Sequence, residues 1–210
     1  MKEKPLKILI IDGNAVRAAI LEEGLREAGA ADAEQGRNGF AIHHIRDMTN
    51  LLARIAAIDP DVILIDLENP SRDTLEQMFQ VSRLVRRPIA MFVDKSDTET
   101  VHAAIDAGVS AYIVDGLRKE RVKAILDVTI GRFRAFDRLQ TELLQAKSAL
   151  EERKVIEQAK GILMSRKALT EEQAYALLRR TAMNQNRKIA DLARSVVEAA
   201  SVLDHDSGER

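Results

Sequence analysis

Apolar residues follow two different spacings in the front and rear of the chain. In residues 1–120, short apolar runs alternate with stretches of helical spacing near 14–29, 48–58, 72–84 and 98–107. Each run predicts a strand, and Gly29 is the expected end of the first helix. Strands that alternate with helices predict an α/β domain whose five-stranded parallel sheet is covered on both faces. The five runs are LKILIID (6–12), FAIHHI (40–45), DVILID (61–66), PIAMFVD (88–94) and AYIV (111–114).

The spacing changes to that of one long helix after this domain. Between Arg118 and Arg153 there is no proline, and the single glycine is Gly131. We expect a helical stalk over 121–150. Two interpretations stay open: a helix packed on its own front domain, or a short parallel dimer seam of about two heptads. The residues at heptad spacing are Phe136, Leu139, Leu143 and Leu150, with Ala146 between them.

The rear segment, 151–203, predicts three helices, and 204–210 are expected to be a disordered tail. The second helix opens at Thr170, with Gln173 three residues later at the spacing of a capping box. Small residues at Ala159 and Gly161 suggest close helix packing, since glycine inside a helix costs about 1 kcal/mol relative to alanine. The predicted architecture is therefore an α/β domain, a helical stalk and an all-α three-helix domain.

Composition and charge narrow the kind of protein. The chain has 210 residues and no cysteine, which fits a reducing compartment and excludes thiolate chemistry. No apolar run reaches the length of a membrane span, so we expect a cytoplasmic protein. The net charge of −1 combines 15 Lys/Arg against 20 Asp/Glu in residues 1–120 with 9 against 3 in 153–188. An acidic front and a basic rear suggest two tasks, the second being polyanion binding.

Two acidic residues are expected at the edge of the sheet where sites of parallel α/β folds lie. Asp12 and Asp66 each end a predicted strand. This half resembles the receiver domain of bacterial response regulators, in which such residues hold Mg²⁺ and accept a phosphoryl group. The resemblance makes Asp66 the acceptor equivalent and Asp12 a remnant of the acidic pocket. The family's second acid, its hydroxyl and its lysine are replaced here by Gly13, Val93 and Asp115.

These departures favour a flavodoxin-like pseudo-receiver, over 1–120, that does not signal through phosphorylation. Val93 cannot donate a hydrogen bond, and Asp115 would repel a phosphorylated carboxylate. The alternative is a two-component response regulator that is phosphorylated at Asp66. Labelling with acetyl phosphate would distinguish the two.

The rear segment resembles a known RNA-binding module. The pattern AKGILM…LTEEQAYALLRRTAMNQNRKIADLA is similar to the ANTAR domain of transcription antitermination regulators. The stretches before it resemble the nitrate- and nitrite-responsive NasT type in particular. The resemblance implies binding to paired hairpins in leader mRNA, and control by a nitrate- or nitrite-binding sensor protein. Two bound hairpins would match two such domains, so we expect a homodimer when active.

The residues of this segment suit an RNA ligand. RNA hairpins present phosphates, 2′-hydroxyls and unstacked bases, so a binder needs clustered cations and hydrogen-bonding or stacking groups. Tyr175 could stack on a base or be half-buried packing. Without the resemblance, a solvated helix face would be the favoured explanation of the cations. The predicted RNA-binding residues are Lys160, Arg166, Lys167, Tyr175, Arg179, Arg180, Asn184, Arg187 and Lys188.

Other classes of function have less support. His43 and His44 lack a third ligand within sequence reach, so no metal or other cofactor is expected. No nucleophile–base pair, phosphate-binding loop or nucleophile elbow can be assembled, so we do not expect an enzyme. A DNA-binding regulator and a pure protein-interaction module remain as rivals. We expect no DNA partner because no recognition-helix turn is evident.

Overall fold

The computed structural model of the chain describes residues 4–34, 39–114 and 117–205. It divides into two compact units between Asp137 and Arg138, here called the front unit and the rear unit. The division falls inside the predicted stalk, 121–150. No described helix is both long enough and apolar enough to cross a bilayer.

The front unit contains a five-stranded parallel sheet in the order β2-β1-β3-β4-β5. This order is the flavodoxin-like one that receiver domains share, and it confirms the predicted fold class. All five predicted strands are present, with ends within one residue of the expected positions. The strands are β1 (Leu6–Asp12), β2 (Phe40–Ile45), β3 (Val62–Leu67), β4 (Ile89–Val93) and β5 (Ala111–Val114).

Helices connect the strands and cover both faces of the sheet. The first helix does not end at Gly29, as expected, but continues to Glu34. A Cβ atom at Gly29 would lie 3.3 Å from the Phe40 ring, so packing against β2 explains the glycine. The helices are α1 (Ala15–Glu34), α2 (Leu51–Ile58), α3 (Arg72–Leu84), α4 (Thr98–Asp106) and, after a 3₁₀ turn (Lys119–Arg121), α5 (Val122–Lys167).

The core of the front unit has two apolar layers, one on each face of the sheet. In β1, Leu9 and Ile11 point into one layer, and Ile8 and Ile10 point into the other. All four side chains are completely buried. Burial on both faces explains why this strand is a continuous apolar run and does not alternate with polar residues.

The rear unit is a small helical bundle formed by the end of α5, α6 (Glu171–Asn184) and α7 (Ile189–His205). The first of its three predicted helices is the continuation of the stalk helix. Thr170 caps α6: its hydroxyl accepts the Gln173 N–H (3.3 Å), and the Gln173 side chain accepts the Thr170 N–H (2.9 Å). The predicted capping box is thus present. In the predicted tail, α7 includes 204 and 205, and 206–210 lie outside the described residues.

Small side chains allow the three helices of the rear unit to approach closely. Ala159 of α5, Ala182 of α6 and Ala193 of α7 are buried in its core together with Leu178 and Leu192. Gly161 differs from the expectation: apart from its chain neighbours and the adjacent backbone of its own helix, no described atom lies within 4 Å of a Cβ atom built there. Ala159 therefore has the packing role that was expected of both residues.

Candidate nucleic-acid interface and acidic edge of the sheet

Three carboxylates meet at the carboxyl edge of the front sheet, and we call them the acidic edge: Asp12, Asp66 and Asp94. Asp12 and Asp66 are register partners on the neighbouring strands β1 and β3, and both are buried. Asp94 follows β4 directly. Asp12 and Asp66, the two residues predicted from the sequence, therefore lie side by side at the carboxyl ends of their strands, where sites of parallel sheets are found.

An arginine that the sequence analysis did not single out binds two members of the acidic edge. Arg17, in the first turn of α1, donates from Nε to Asp66 Oδ2 (2.8 Å) and from Nη2 to Asp66 Oδ1 (2.6 Å). Its Nη1 donates to Asp94 Oδ1 (2.9 Å). The Asp66 side chain is fully buried beneath this guanidinium, which is 17% exposed. The hydrogen bond to Asp66, above all, raises the pKa of Arg17 further above its ordinary value, so the arginine stays charged.

The carboxylate of Asp12 has fewer hydrogen-bond donors than that of Asp66, and no cation of the described chain binds it directly. Its Oδ1 accepts the backbone N–H of Asn14 (2.7 Å), while Oδ2 is buried without a hydrogen-bond partner in the described chain. Burial raises the pKa of Asp12, and the negative charge of Asp66 adds to this effect. A buried carboxylate oxygen without a donor disfavours the charged form, which accounts for the direction of the shift.

The residues that a receiver uses to detect a phosphoryl group are absent or engaged elsewhere. Val93, at the hydroxyl position, is completely buried in the apolar core. Asp115, at the lysine position, lies outside the described residues. Lys119 lies four residues after the lysine position, but it binds Glu23 (2.7 Å) and Glu27 (2.6 Å) on α1. These contacts tie Lys119 to the surface of α1.

The acidic edge does not fit the Mg²⁺ ion that receiver domains bind there. Both Asp66 oxygens already accept hydrogen bonds from Arg17, and Gly13 supplies no second carboxylate. A divalent cation needs those oxygens as ligands and would be repelled by the guanidinium.

In the rear unit, four of the predicted RNA-binding cations are exposed, and we call them the basic set: Lys167, Arg179, Arg180 and Lys188. None of the four has an ion-pair or hydrogen-bond partner within the part of the chain that the structure describes. Lys167 precedes α6 and Lys188 follows it, so the basic set extends along this helix, over about 21 Å for 14 residues. Four exposed, unpaired cations on a small domain are available to a polyanion.

The three other predicted cations are engaged within the rear unit. Lys160 is buried, in contrast to the expectation, and binds Glu157 (2.8 Å) and Glu171 (2.6 Å). The hydrogen bond to Glu157, followed by that to Glu171, raises the pKa of Lys160. Arg166 donates to the Ala200 carbonyl (3.3 Å), and Arg187 donates to the hydroxyl of Ser195 (3.0 Å). Lys160 is therefore removed from the proposed RNA surface, since its side chain connects α5 to the start of α6.

Polar and aromatic side chains accompany the basic set. Tyr175 is 45% exposed and lies one helical turn before Arg179 on the same face of α6. Its exposure leaves the ring accessible for stacking, one of the two roles that the sequence left open. Asn184, the last residue of α6, is also exposed. Met183, which no sequence motif indicated, is 70% exposed and extends the same face.

The predicted seam residues form an apolar stripe on the surface of α5. Leu139, Leu143 and Leu150 are all exposed. They lie in the stretch 138–151, in which every residue is exposed. Phe136, on the part of α5 that belongs to the front unit, is exposed as well. Leucines repeated on one face of a solvated helix are typical of a surface that a partner covers.

Comparison with known proteins identifies the rear unit. The model of the ANTAR domain matches residues 144–197, a range that includes all nine predicted RNA-binding residues. The rear unit carries an ANTAR domain. This finding confirms the resemblance noted in the sequence, and the matched range begins inside the predicted stalk.

Similar proteins match different parts of the chain. The transcriptional regulatory protein PdtaR of Mycobacterium tuberculosis is 26% identical over 194 residues, which cover 92% of this chain and 90% of PdtaR. The nitrate regulatory protein of Klebsiella oxytoca is 37% identical over 75 residues, or 36% of this chain and 19% of that protein. A CheY-like receiver domain from Methanospirillum hungatei is similar in structure, with a TM-score of 0.49, 16% identity and coverage of 63% of this chain and 98% of the receiver. Both sequence relatives carry the names of regulatory proteins.

Proposed function

We propose that the chain is an RNA-binding transcription antiterminator that binds paired hairpins in leader mRNA. The single observation that carries the proposal is the basic set on an ANTAR domain: exposed cations without internal partners. Cations that are already hydrated and unpaired can bind phosphates without breaking an existing ion pair, and they release condensed counterions from the RNA. Tyr175 and Asn184 supply stacking and hydrogen-bonding groups for loop bases.

The proposal includes a homodimer as the active form. The stripe leucines Leu139, Leu143 and Leu150, with Phe136 ahead of them, would be buried in a parallel seam between two copies of α5. Two ANTAR domains in one dimer match two hairpins in one RNA. Binding the first hairpin raises the effective concentration of the second, which makes dimerisation a natural point of control.

We propose that a sensor protein, and not phosphorylation, controls the dimer. The pairing of Asp66 with Arg17 and the burial of Val93 support this view, because both weaken a phosphoryl switch. The similarity to a nitrate regulatory protein supports nitrate or nitrite assimilation genes as targets and a nitrate- or nitrite-binding sensor as the partner. The alternative remains a response regulator phosphorylated at Asp66.

RNA-binding measurements with the full chain test the proposal. The probes are a synthetic RNA with two stem-loops, the same RNA with one stem-loop deleted, and duplex DNA of equal length. We expect the two-hairpin RNA to bind tightest. The logarithm of affinity should fall with the logarithm of salt concentration with a slope of about −3, since about four phosphates are neutralised. Absence of stem-loop binding at low ionic strength would refute the proposal, and stronger binding to duplex DNA would favour the DNA-binding rival.

A separate experiment tests the phosphorylation alternative. The chain is incubated with acetyl phosphate and Mg²⁺, and its intact mass is measured. We expect no added phosphoryl group, because Arg17 occupies both oxygens of Asp66. A stable adduct on Asp66 that is absent from the Asp66→Asn variant would establish the response-regulator alternative.

A further inference from the structure

The acidic edge holds more negative charge than a buried site tolerates without a cation nearby. Asp12 and Asp66 are adjacent and buried, and Glu68, two residues after Asp66, adds a further negative charge close to Asp12. Placing carboxylates side by side in a low-dielectric environment is strongly unfavourable unless a cation compensates their charge. In this chain the compensating charge comes from the first turn of α1.

We propose that Arg17 is the resident cation of the acidic edge, a guanidinium that takes the place of a divalent metal and holds the edge in one metal-independent state. The geometry supports this role. Arg17 uses three of its nitrogens on two carboxylates that come from the ends of two different strands. A bidentate guanidinium–carboxylate pair fixes both the distance and the plane of the two groups.

The position of Arg17 in the chain gives the contact a structural consequence. Arg17 lies on α1, whereas Asp66 ends β3 and Asp94 follows β4. One side chain therefore joins the start of α1 to the carboxyl ends of two strands. A metal ion could make a similar connection, but its occupancy of the site would depend on the metal concentration. The arginine is covalently part of the chain and keeps its charge at every physiological pH.

The rest of the acidic edge is consistent with a single built-in positive charge. One guanidinium satisfies Asp66 and reaches Asp94, while Asp12 keeps an oxygen without a donor. A metal ion between Asp12 and Asp66 would bind that oxygen. Arg17 directs its hydrogen bonds to Asp66 and Asp94, so its charge acts on Asp12 only from a distance and Asp12 Oδ2 receives no donor from the described residues.

Thermal unfolding of the full chain with and without about 10 mM Mg²⁺, at matched ionic strength, tests the proposal. We expect Arg17→Gln to lower the unfolding midpoint by about 10 °C, since it leaves a buried carboxylate without its cation. Mg²⁺ should recover part of this loss in the variant and leave the unsubstituted chain unchanged. The matched control is Arg26→Gln on the same helix, where the arginine is mostly exposed and binds Glu22; its shift should stay below about 2 °C.

A double variant separates the charge of Arg17 from its packing. Arg17→Gln combined with Asp66→Asn removes both charges, so it should be more stable than Arg17→Gln alone, and it should fold even if the single variant does not. It should also show no response to Mg²⁺. The proposal is overturned if Mg²⁺ stabilises the unsubstituted chain, if Arg17→Gln is as stable as the Arg26→Gln control, if Mg²⁺ recovers none of the loss, or if the two substitutions simply add. These outcomes do not depend on RNA binding.

Discussion

The front and rear units use their cations in opposite ways. In the front unit, Arg17 and Lys119 are held by carboxylates of the same unit. In the rear unit, Arg179 and Arg180 are exposed and have no partner among the described residues. A cation paired internally fixes the positions of the elements that it joins, whereas an unpaired cation remains available to an anionic ligand. The count of charges in each half does not reveal this difference.

Lys160 shows that burial, and not membership of a unit, separates the two uses. It lies in the rear unit, within the ANTAR match, yet it is buried and bound to two glutamates. The comparison is therefore between internal and available cations. Substitutions at four places in the rear unit test this distinction, and they should differ in how strongly they reduce RNA binding.

The largest effect is expected when the apolar stripe is interrupted. Leu139→Asp with Leu143→Asp should weaken binding to a two-hairpin RNA about 100-fold or more, because avidity is lost with the dimer. Binding to a single hairpin should change little. Both leucines are exposed in the described chain, so the substitutions remove no internal packing. Light scattering gives the mass of each variant, and filter binding gives the two affinities.

A control variant adds the same charge away from the stripe. Gln145→Asp with Ser148→Asp lies on the same exposed helix, at positions off the apolar face. This pair should keep both the dimer and the RNA affinity. If the leucine variant remains a dimer, or if the control loses affinity equally, the seam does not produce the avidity.

The second effect comes from the basic set. Arg179→Ala with Arg180→Ala should weaken RNA binding about 10-fold or more at about 0.1 M salt, because up to two phosphate contacts are lost. The slope of affinity against salt should become shallower by about 1.5 to 2. Arg194→Ala is the matched control, since Arg194 is already paired with Asp191 (2.9 Å) on α7. An unchanged slope in the double variant would place the RNA elsewhere.

A smaller effect on RNA is expected at Lys160. Lys160→Met keeps most of the buried stem but removes the charge that binds Glu157 and Glu171. Unfolding should occur at a lower temperature, while RNA affinity should change less than about 2-fold and the salt slope should stay the same. Calorimetry and binding at three salt concentrations measure both. A shallower slope without loss of stability would show that Lys160 contacts RNA after all.

Much of the fold could be predicted because its signals are local. The run LKILIID is buried on both faces, so its strand is evident from consecutive apolar residues. Thr170 and Gln173 predict the start of α6 because both partners of the capping box lie within one turn. The predicted end of α1 at Gly29 was wrong because this glycine packs against Phe40 of the next strand. The sequence of the helix alone does not reveal that contact.

The candidate sites could be predicted less completely because their contacts join distant parts of the chain. Sites of parallel sheets lie at the carboxyl ends of the strands, and this principle predicted that Asp12 and Asp66 lie together. In contrast, nothing in the sequence near Arg17 indicates that its side chain binds a carboxylate 49 residues away. Lys160 and Arg179 are both cations of the same basic segment, so the sequence does not distinguish them. In the described chain Lys160 is engaged and Arg179 is not, because Glu171 on the next helix binds Lys160. Residue type predicts which side chains can bind an anion. The tertiary structure decides which of them are available to do so.

The smallest effect on RNA is expected at Gly161, where stability should rise. Gly161 lies inside α5, and apart from its chain neighbours and the adjacent helix backbone no described atom is within 4 Å of a Cβ atom built there. Gly161→Ala should therefore stabilise the chain by about 1 kcal/mol, because alanine is the better helix former, and leave RNA affinity unchanged. Gly24→Ala is the contrasting control: its Cβ would lie 3.0 Å from the Lys119 carbonyl, so it should destabilise the chain. Urea unfolding measures both, and if Gly161→Ala stabilises the chain yet weakens RNA binding, the RNA must approach α5 at this glycine.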